Sequence, residues 1–315
     1  MIPVYVAPRK REGDTSLGYA SPFLIYNTGA TMIRCKRLAA FALLVLALTA
    51  CAGPLKKPLV DPFPLRFPLV EVGALEIEGR VVGQPHARDG VLTFATDDGF
   101  LAAVVVSSRA VLWRRAGAAD GGGSAVTSPP DASKGPTVRS NGAHLQAFDG
   151  ENGSIWEFMA DSRIVAEPAV SSGRVYFGTE NRRFYCLKAA TGKVLWSRRL
   201  QGAPLQPAVA RGGTVAVAAS NSVVYFLSRK GGSILSWANV PSRIIFPLAL
   251  SGQTLLVSSA SPDVAGLDMA TGRTVGGYSA AGPLAAGAVW APPFVVLFVE
   301  DDESGRQRLL FLRSR

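Results

Sequence analysis

An all-β chain built from a four-stranded unit repeated about every forty residues is what this sequence predicts. Three observations carry that reading. Trp113, Trp156, Trp196 and Trp237 stand 43, 40 and 41 residues apart. A glycine turn opening a β-rich run recurs at Gly90, Gly135, Gly173, Gly213 and Gly252. After residue 60 no stretch shows 3.6-residue apolar periodicity with helix caps, whereas short runs of Val, Tyr, Phe and Leu are broken regularly by Gly, Asn, Asp or Ser.

The N-terminal part reads differently. The apolar run Leu38–Leu48 follows Arg34, Lys36 and Arg37 and leads into Thr49-Ala50-Cys51, the layout of a secretory signal. Eleven apolar residues fall short of the roughly 20 that a membrane-spanning helix needs. Leu48-Thr49-Ala50-Cys51 resembles the lipobox of bacterial lipoproteins, which implies that Cys51 is lipidated and becomes the mature N-terminus. Met32 would start a signal of ordinary length, so residues 1–31 read as a misplaced start and 32–50 as the signal peptide. The five prolines between Cys51 and Pro68 keep residues 51–68 extended, as a tether would be.

Removing the signal changes the charge. The chain has 33 Lys and Arg against 23 Asp and Glu, a formal net charge of +10. Six of those basic and two of those acidic residues precede residue 52, which leaves 27 against 21, or +6. No run of five like charges follows Cys51, so a nucleic-acid partner is not expected. With three Cys and two His, neither a disulfide framework nor a multi-His metal centre is available.

The clearest repeat copy runs from Ser172 to Trp196. It predicts strands at Val175–Gly178, Phe184–Leu187 and Lys193–Trp196, with a fourth near Leu205–Ala210. Gly-Arg-Val-Tyr-Phe-Gly-Thr179, followed by Ala-Ala-Thr-Gly-Lys-Val-Leu-Trp196, resembles the repeat of the PQQ-like (quinoprotein-type) β-propeller superfamily. Lys188 stands where that family usually has Asp. Residues 266–278 keep Leu267-Asp268 and Thr271-Gly272 but put Gly276 at the Trp position, and 142–156 keep Ala147-Phe-Asp149 and Gly153. The resemblance covers residues 69–315 and implies a propeller of four-stranded blades.

Physical reasons support the pattern independently. One four-stranded blade buries little, so each must pack on two neighbours. A Trp at one point of each blade contributes up to about 250 Å² of buried surface. Trp113, Trp156, Trp196 and Trp237 are therefore the expected blade-docking residues. Five full copies plus one split between the termini give six blades, with seven as the alternative, in a ring closed by both chain ends. Leu69–His86 is expected to supply the half missing after Phe294–Glu300 and Arg308–Leu312. Residues 116–135, rich in Gly, Ser and Pro, read as an insertion.

Candidate chemistry is sparse. Quinoprotein dehydrogenases of the resembled superfamily often carry adjacent cysteines over the cofactor, whereas after the signal this chain has only Cys51 and Cys186. Cys186, on a predicted strand, reads as a buried core thiol. His86 and His144 lack metal-ligand spacing, and Ala190–Lys193 lacks the pattern of a phosphate loop. Asp97-Asp98 and Glu300–Glu303 read as solvated acidic turns. The sequence therefore predicts no catalytic, cofactor or metal residues and no cofactor.

A tethered, catalytically silent propeller resembles the lipoprotein scaffolds of the outer-membrane β-barrel assembly machinery. That resemblance implies a bacterial outer-membrane lipoprotein on the periplasmic face, binding envelope proteins, including β-barrel assembly components, and held to the membrane through its lipid. The alternatives are a small-ligand-binding propeller and a PQQ-dependent oxidoreductase.

Overall fold

A computed structural model describes residues 64–117, 136–149, 153–301 and 305–315. Met1–Leu59 and Val60–Arg315 form two units, and every described residue belongs to the second. The expected lipidation site Cys51, the signal and nearly all of the 116–135 insertion lie outside the described residues.

Among the described residues every regular element is a strand or a turn. Alternation and tight glycine turns are the local cause. In β10 (Arg174–Gly178) and β11 (Arg183–Lys188) the runs Val-Tyr-Phe and Phe-Tyr-Cys-Leu are buried on both faces, as strands packed between two sheets must be. They join β9 (Ala169–Ser171) and β12 (Val194–Arg199) in one antiparallel sheet, order β9-β10-β11-β12. The same meander recurs in β13 (Val209–Arg211), β14 (Thr214–Ala219), β15 (Val223–Ser228) and β16 (Ile234–Asn239). It recurs again in β17 (Ala249–Ser251), β18 (Thr254–Ser258), β19 (Asp263–Asp268) and β20 (Thr274–Ser279).

Upstream, β2 (Val81–Arg88), β3 (Val91–Thr96), β4 (Phe100–Val105) and β5 (Ala110–Ala116) form a fourth sheet. A three-stranded sheet follows in β6 (Thr137–Asn141), β7 (His144–Phe148) and β8 (Ser154–Met159). The sixth sheet joins the first and the last of the described strands. There β21 (Leu284–Ala291), β22 (Phe294–Glu300) and β23 (Gln307–Ser314) are completed by β1 (Leu69–Ile77), which pairs antiparallel with β23 from Leu69↔Ser314 to Ile77↔Gln307. The chain is a β-propeller.

Two details depart from the sequence expectation. The run near Leu205–Ala210 does not close the β9–β12 sheet; its last residues are in β13, the first strand of the next one. The sixth sheet is likewise split three and one rather than two and two. β2 carries Gly83-Gln-Pro85, the counterpart of the Leu205-Gln-Pro207 run before β13, and opens its own sheet. The parallel between those two segments was legible in the residues, but which neighbour a short strand pairs with is a long-range choice.

Apolar clusters lie between successive sheets. Tyr176, Phe184, Cys186 and Trp196 pack on Val215, Val217, Tyr225 and Leu227, which joins β9–β12 to β13–β16. Ala216, Ala218 and Phe226 pack on Leu255, Val257 and Leu267. Phe94 meets Phe298 edge-on with ring centroids 5.4 Å apart, joining the β2–β5 sheet to the sheet that holds β1 and β23.

The packing begins upstream of β1. Leu65 is buried, and Phe67 lies over Gly266 of β19 and Gly276 of β20, where a Cβ at either glycine would collide with its ring. Gly276 pairs with Gly266 as Trp196 pairs with Cys186 one sheet earlier. Phe67 thus fills, from a segment distant in sequence, the space that a tryptophan on β20 would occupy. Replacing Phe67 by Ala is expected to lower stability by about 2–3 kcal/mol, the cost of a large apolar truncation at a partly buried site. Urea denaturation followed by tryptophan fluorescence measures it.

Candidate functional site

The strand farthest along each meander carries both the tryptophans and the most exposed apolar side chains. Each such strand is broken by a bulge at one equivalent place. The register shifts between Ala103 and Val104, Ala147 and Phe148, Cys186 and Leu187, Phe226 and Leu227, and Gly266 and Leu267. The extra residue in each case is Leu112, Ile155, Leu195, Leu235 or Val275, and each of these is 43–56% exposed. A bulge turns one side chain out of the alternation and blunts an open sheet edge. Here it presents one aliphatic side chain to solvent in each of five sheets. Sequence reasoning passed over these positions, although Leu112, Ile155 and Leu195 stand directly before a periodic Trp and Leu235 two residues before one.

The residue after the bulge turns back toward the next sheet. The Trp156 indole N–H donates to Ala189 O at 2.7 Å, and that of Trp196 to Arg229 O at 3.0 Å. Each ring also lies on the glycine of the following turn. A Cβ on Gly192 would stand 2.6 Å from Trp156 Cε3, and one on Gly232 would collide with the Trp196 ring. Those glycines have φ of +67° and +70°, so neither the backbone nor the available space admits a side chain.

The other two expected docking residues are placed differently. Trp113 is half-buried, with the Arg115 guanidinium 4.6 Å from its ring centroid. Trp237 is 64% exposed, because Ser236, one residue earlier, pairs with Phe226 at the post-bulge position. Phe226 takes over the contact instead, since a Cβ on Gly272 would lie 2.8 Å from its ring. A spacing of 41 rather than 40 residues was the available signal, and one residue suffices to send a strand side chain to the opposite face.

A cluster of polar contacts links the turns of two sheets. Arg229 Nε donates to the Tyr176 hydroxyl at 3.1 Å, while its terminal nitrogens reach Gly212 O, Ser171 O and Ser172 O. Arg174 Nη1 donates to Arg229 O. Cys186 sits below this cluster, fully buried, and burial pushes its thiol upward, away from the reactive thiolate.

At the opposite end of the same sheet, Tyr185, Asp161, Asn181 and Arg183 form a second cluster. Burial and the Asp161 carboxylate accepting its hydroxyl proton push Tyr185 up to about 12. Burial works to raise Asp161, but hydrogen bonds from Tyr185 and Asn181 and the Arg183 charge, 3.0 Å away, outweigh it and hold the carboxyl below its usual range.

The expected acidic turn at Asp97-Asp98 is internally occupied. Asp97 accepts from Arg80 N at 2.8 Å, and Asp98 takes Thr96 and Arg114. Asp268 likewise accepts from Thr271 N and Oγ1 at 2.8 and 2.7 Å, which explains why an Asp precedes Thr-Gly in this repeat. At Lys188 the same turn is closed by backbone bonds alone from Thr191 N and Gly192 N. Burial lowers His86, partly offset by the charge of Glu167. Among the described residues no group of three or more His, Cys, Asp or Glu is placed to hold a metal ion.

A family model described as outer membrane protein assembly factor BamB matches residues 141–301, more than half of the chain. The chain belongs to this PQQ-like, BamB-type repeat family. Outer membrane protein assembly factor BamB of Legionella pneumophila (strain Paris) is 24% identical over 194 residues, 59% of this chain and 50% of the relative. The chain therefore matches about half the length of that curated relative.

Among solved structures, the β-propeller domain of Cps50 (Swd1) from Myceliophteria thermophila superposes with a TM-score of 0.55 at 12% identity. It covers 79% of this chain and all of that domain, a likeness of fold. BamB from Moraxella catarrhalis gives a TM-score of 0.46 at 15% identity over 76% of this chain and 63% of its own.

Two outcomes follow from the family geometry in this chain. Gly232→Ala should destabilise by more than about 2 kcal/mol, since strain and overpacking add, whereas Trp237→Ala should change stability by no more than about 0.5 kcal/mol. Equilibrium denaturation of both variants checks the contrast. Tyr185 stays protonated in the folded state above its ordinary value, so its contribution is complete below pH 10 and is lost as pH rises toward about 12. Ultraviolet titration should show a phenolate appearing near pH 12 that is missing in Tyr185→Phe.

Proposed function

We propose that this protein is a non-enzymatic, lipid-anchored scaffold of the bacterial envelope that binds protein partners through its blade edges and turns. Membership of the BamB-type family carries the reading, and the five exposed aliphatic bulge residues supply the surface it needs. Apolar side chains presented singly on rigid strands suit protein contacts, because a strand holds them in place with little left to order on binding.

Partners include components of outer-membrane protein assembly, the process for which the family and the Legionella relative are named. Signal cleavage after residue 50 and lipidation of Cys51 would place the propeller at the periplasmic face of the outer membrane, with the proline-rich segment after Cys51 as its tether. Trp156 and Trp196 serve in this reading as blade-docking residues that keep the edges in register, and Trp113 as a weaker one.

Mild crosslinking in cells followed by affinity capture of the full chain is the decisive experiment. Envelope proteins should be enriched, with recovery reduced several-fold by Leu112→Ser combined with Ile155→Ser and Val275→Ser. Capture that enriches no envelope protein would overturn the scaffold reading. In the same cells Cys51→Ala should move the protein from the membrane to the soluble fraction.

A further inference from the structure

Ten Lys or Arg and not one Asp or Glu lie between residues 181 and 262, bounded by Glu180 and Asp263. Strand direction divides these charges between the two ends of the sheets, and places every lysine among them at one end. Because neighbouring strands are antiparallel, the β9–β10, β11–β12, β13–β14 and β15–β16 turns share one end of their two sheets. Arg229 fastens that end together across the two sheets through Ser171 O, Ser172 O and Gly212 O.

Lys188, Lys193, Arg211 and Lys230 stand on these turns, and none is paired with a carboxylate among the described residues. The opposite end of the β9–β12 sheet differs in having carboxylates: there Arg163 meets Glu180 at 3.3 Å and Arg183 meets Asp161 at 3.0 Å, beside the exposed Arg182 and Arg199. The corresponding β7–β8 and β19–β20 turns carry Asp149 and Asp268. Directly after the basic turns come Val194-Leu195 and Ile234-Leu235, which are 39–54% exposed.

We propose that this end of the β9–β12 and β13–β16 sheets docks on an anionic phospholipid bilayer. The lysine ammonium groups would lie among headgroup phosphates, and the four aliphatic side chains would enter the interfacial layer beside them. Basic charge attracts the surface and apolar area holds the contact, the pairing that peripheral membrane binding requires. A bilayer is favoured over an acidic protein because compact ammonium groups on separate turns need only a negatively charged layer, whereas planar bidentate recognition of carboxylates would favour Arg. The inference goes beyond the scaffold reading and does not depend on lipid at Cys51.

Vesicle co-sedimentation tests it, using the full chain with Cys51→Ser throughout so that no acyl chain contributes. The vesicles are phosphatidylcholine alone or phosphatidylcholine with one third phosphatidylglycerol. Binding should require phosphatidylglycerol and fall about a hundredfold in the Lys188→Gln, Lys193→Gln, Lys230→Gln variant. It should fall about tenfold in Leu195→Ser, Leu235→Ser. A control of equal charge change at the opposite end, Arg182→Gln with Arg199→Gln and Arg243→Gln, should leave binding within twofold. Equal binding to both vesicle types, or equal loss in the two triple variants, would overturn the proposal, as would tight capture of an acidic protein without vesicle binding. Thermal melting of each variant, all altered at exposed side chains, shows that any loss is not a loss of fold.

Discussion

An indole lying on a glycine of the next sheet is the contact on which the rest of this propeller depends. Trp156 on Gly192 and Trp196 on Gly232 each combine a large apolar burial with an N–H bond to the following turn, at 2.7 and 3.0 Å. Successive sheets have no backbone ladder between them, so side-chain contacts set their spacing and rotation. A ring that meets a bare backbone at a left-handed residue sets both more tightly than aliphatic contacts can, because a bulkier turn residue has nowhere to go.

Where the tryptophan is missing, the molecule fills the same space by other routes. Phe226 lies against Gly272 because Trp237 has slipped to the outward face, and Phe67 comes in from the N-terminal segment to cover Gly266 and Gly276. The second substitution has a topological effect. By packing Phe67 against β19 and β20 and pairing β1 with β23, the first described residues hold two sheets near the C-terminus. Contacts so distant in sequence lose more chain entropy on forming and gain it back only when the whole structure is assembled.

The same strands that dock inward present the molecule outward. A bulge placed one residue before the docking position leaves an aliphatic side chain in water, and doing so in five sheets gives a repeated set of exposed contacts on stiff supports. Electrostatics then distinguish the two ends of this surface. Ion pairs offset part of the charge at one end of the β9–β12 sheet, while the other end, knitted together by Arg229, carries lysines without carboxylate partners among the described residues. A scaffold that meets several partners gains from surfaces of unlike chemistry, since charge steers an approach and apolar contact slows departure.

Local features of the sequence determined that the chain is all-β, that its unit is about forty residues long, and which copy is cleanest, because alternation, turn glycines and tryptophan spacing are properties of neighbouring residues. They also located the aspartate-threonine-glycine turns, whose hydrogen bonds span only three residues at Asp268. Only the tertiary structure decided which short strand joins which sheet, that β1 alone completes the last sheet, and that Trp237 faces outward while Phe67 takes a tryptophan's place. It also showed that lysines scattered from 188 to 230 share one end of two sheets. The reason is physical: pairing partners, bulge registers and surface charge arise from contacts between residues tens to hundreds apart, and a one-residue slip that reverses a side chain leaves almost no trace in a period of forty.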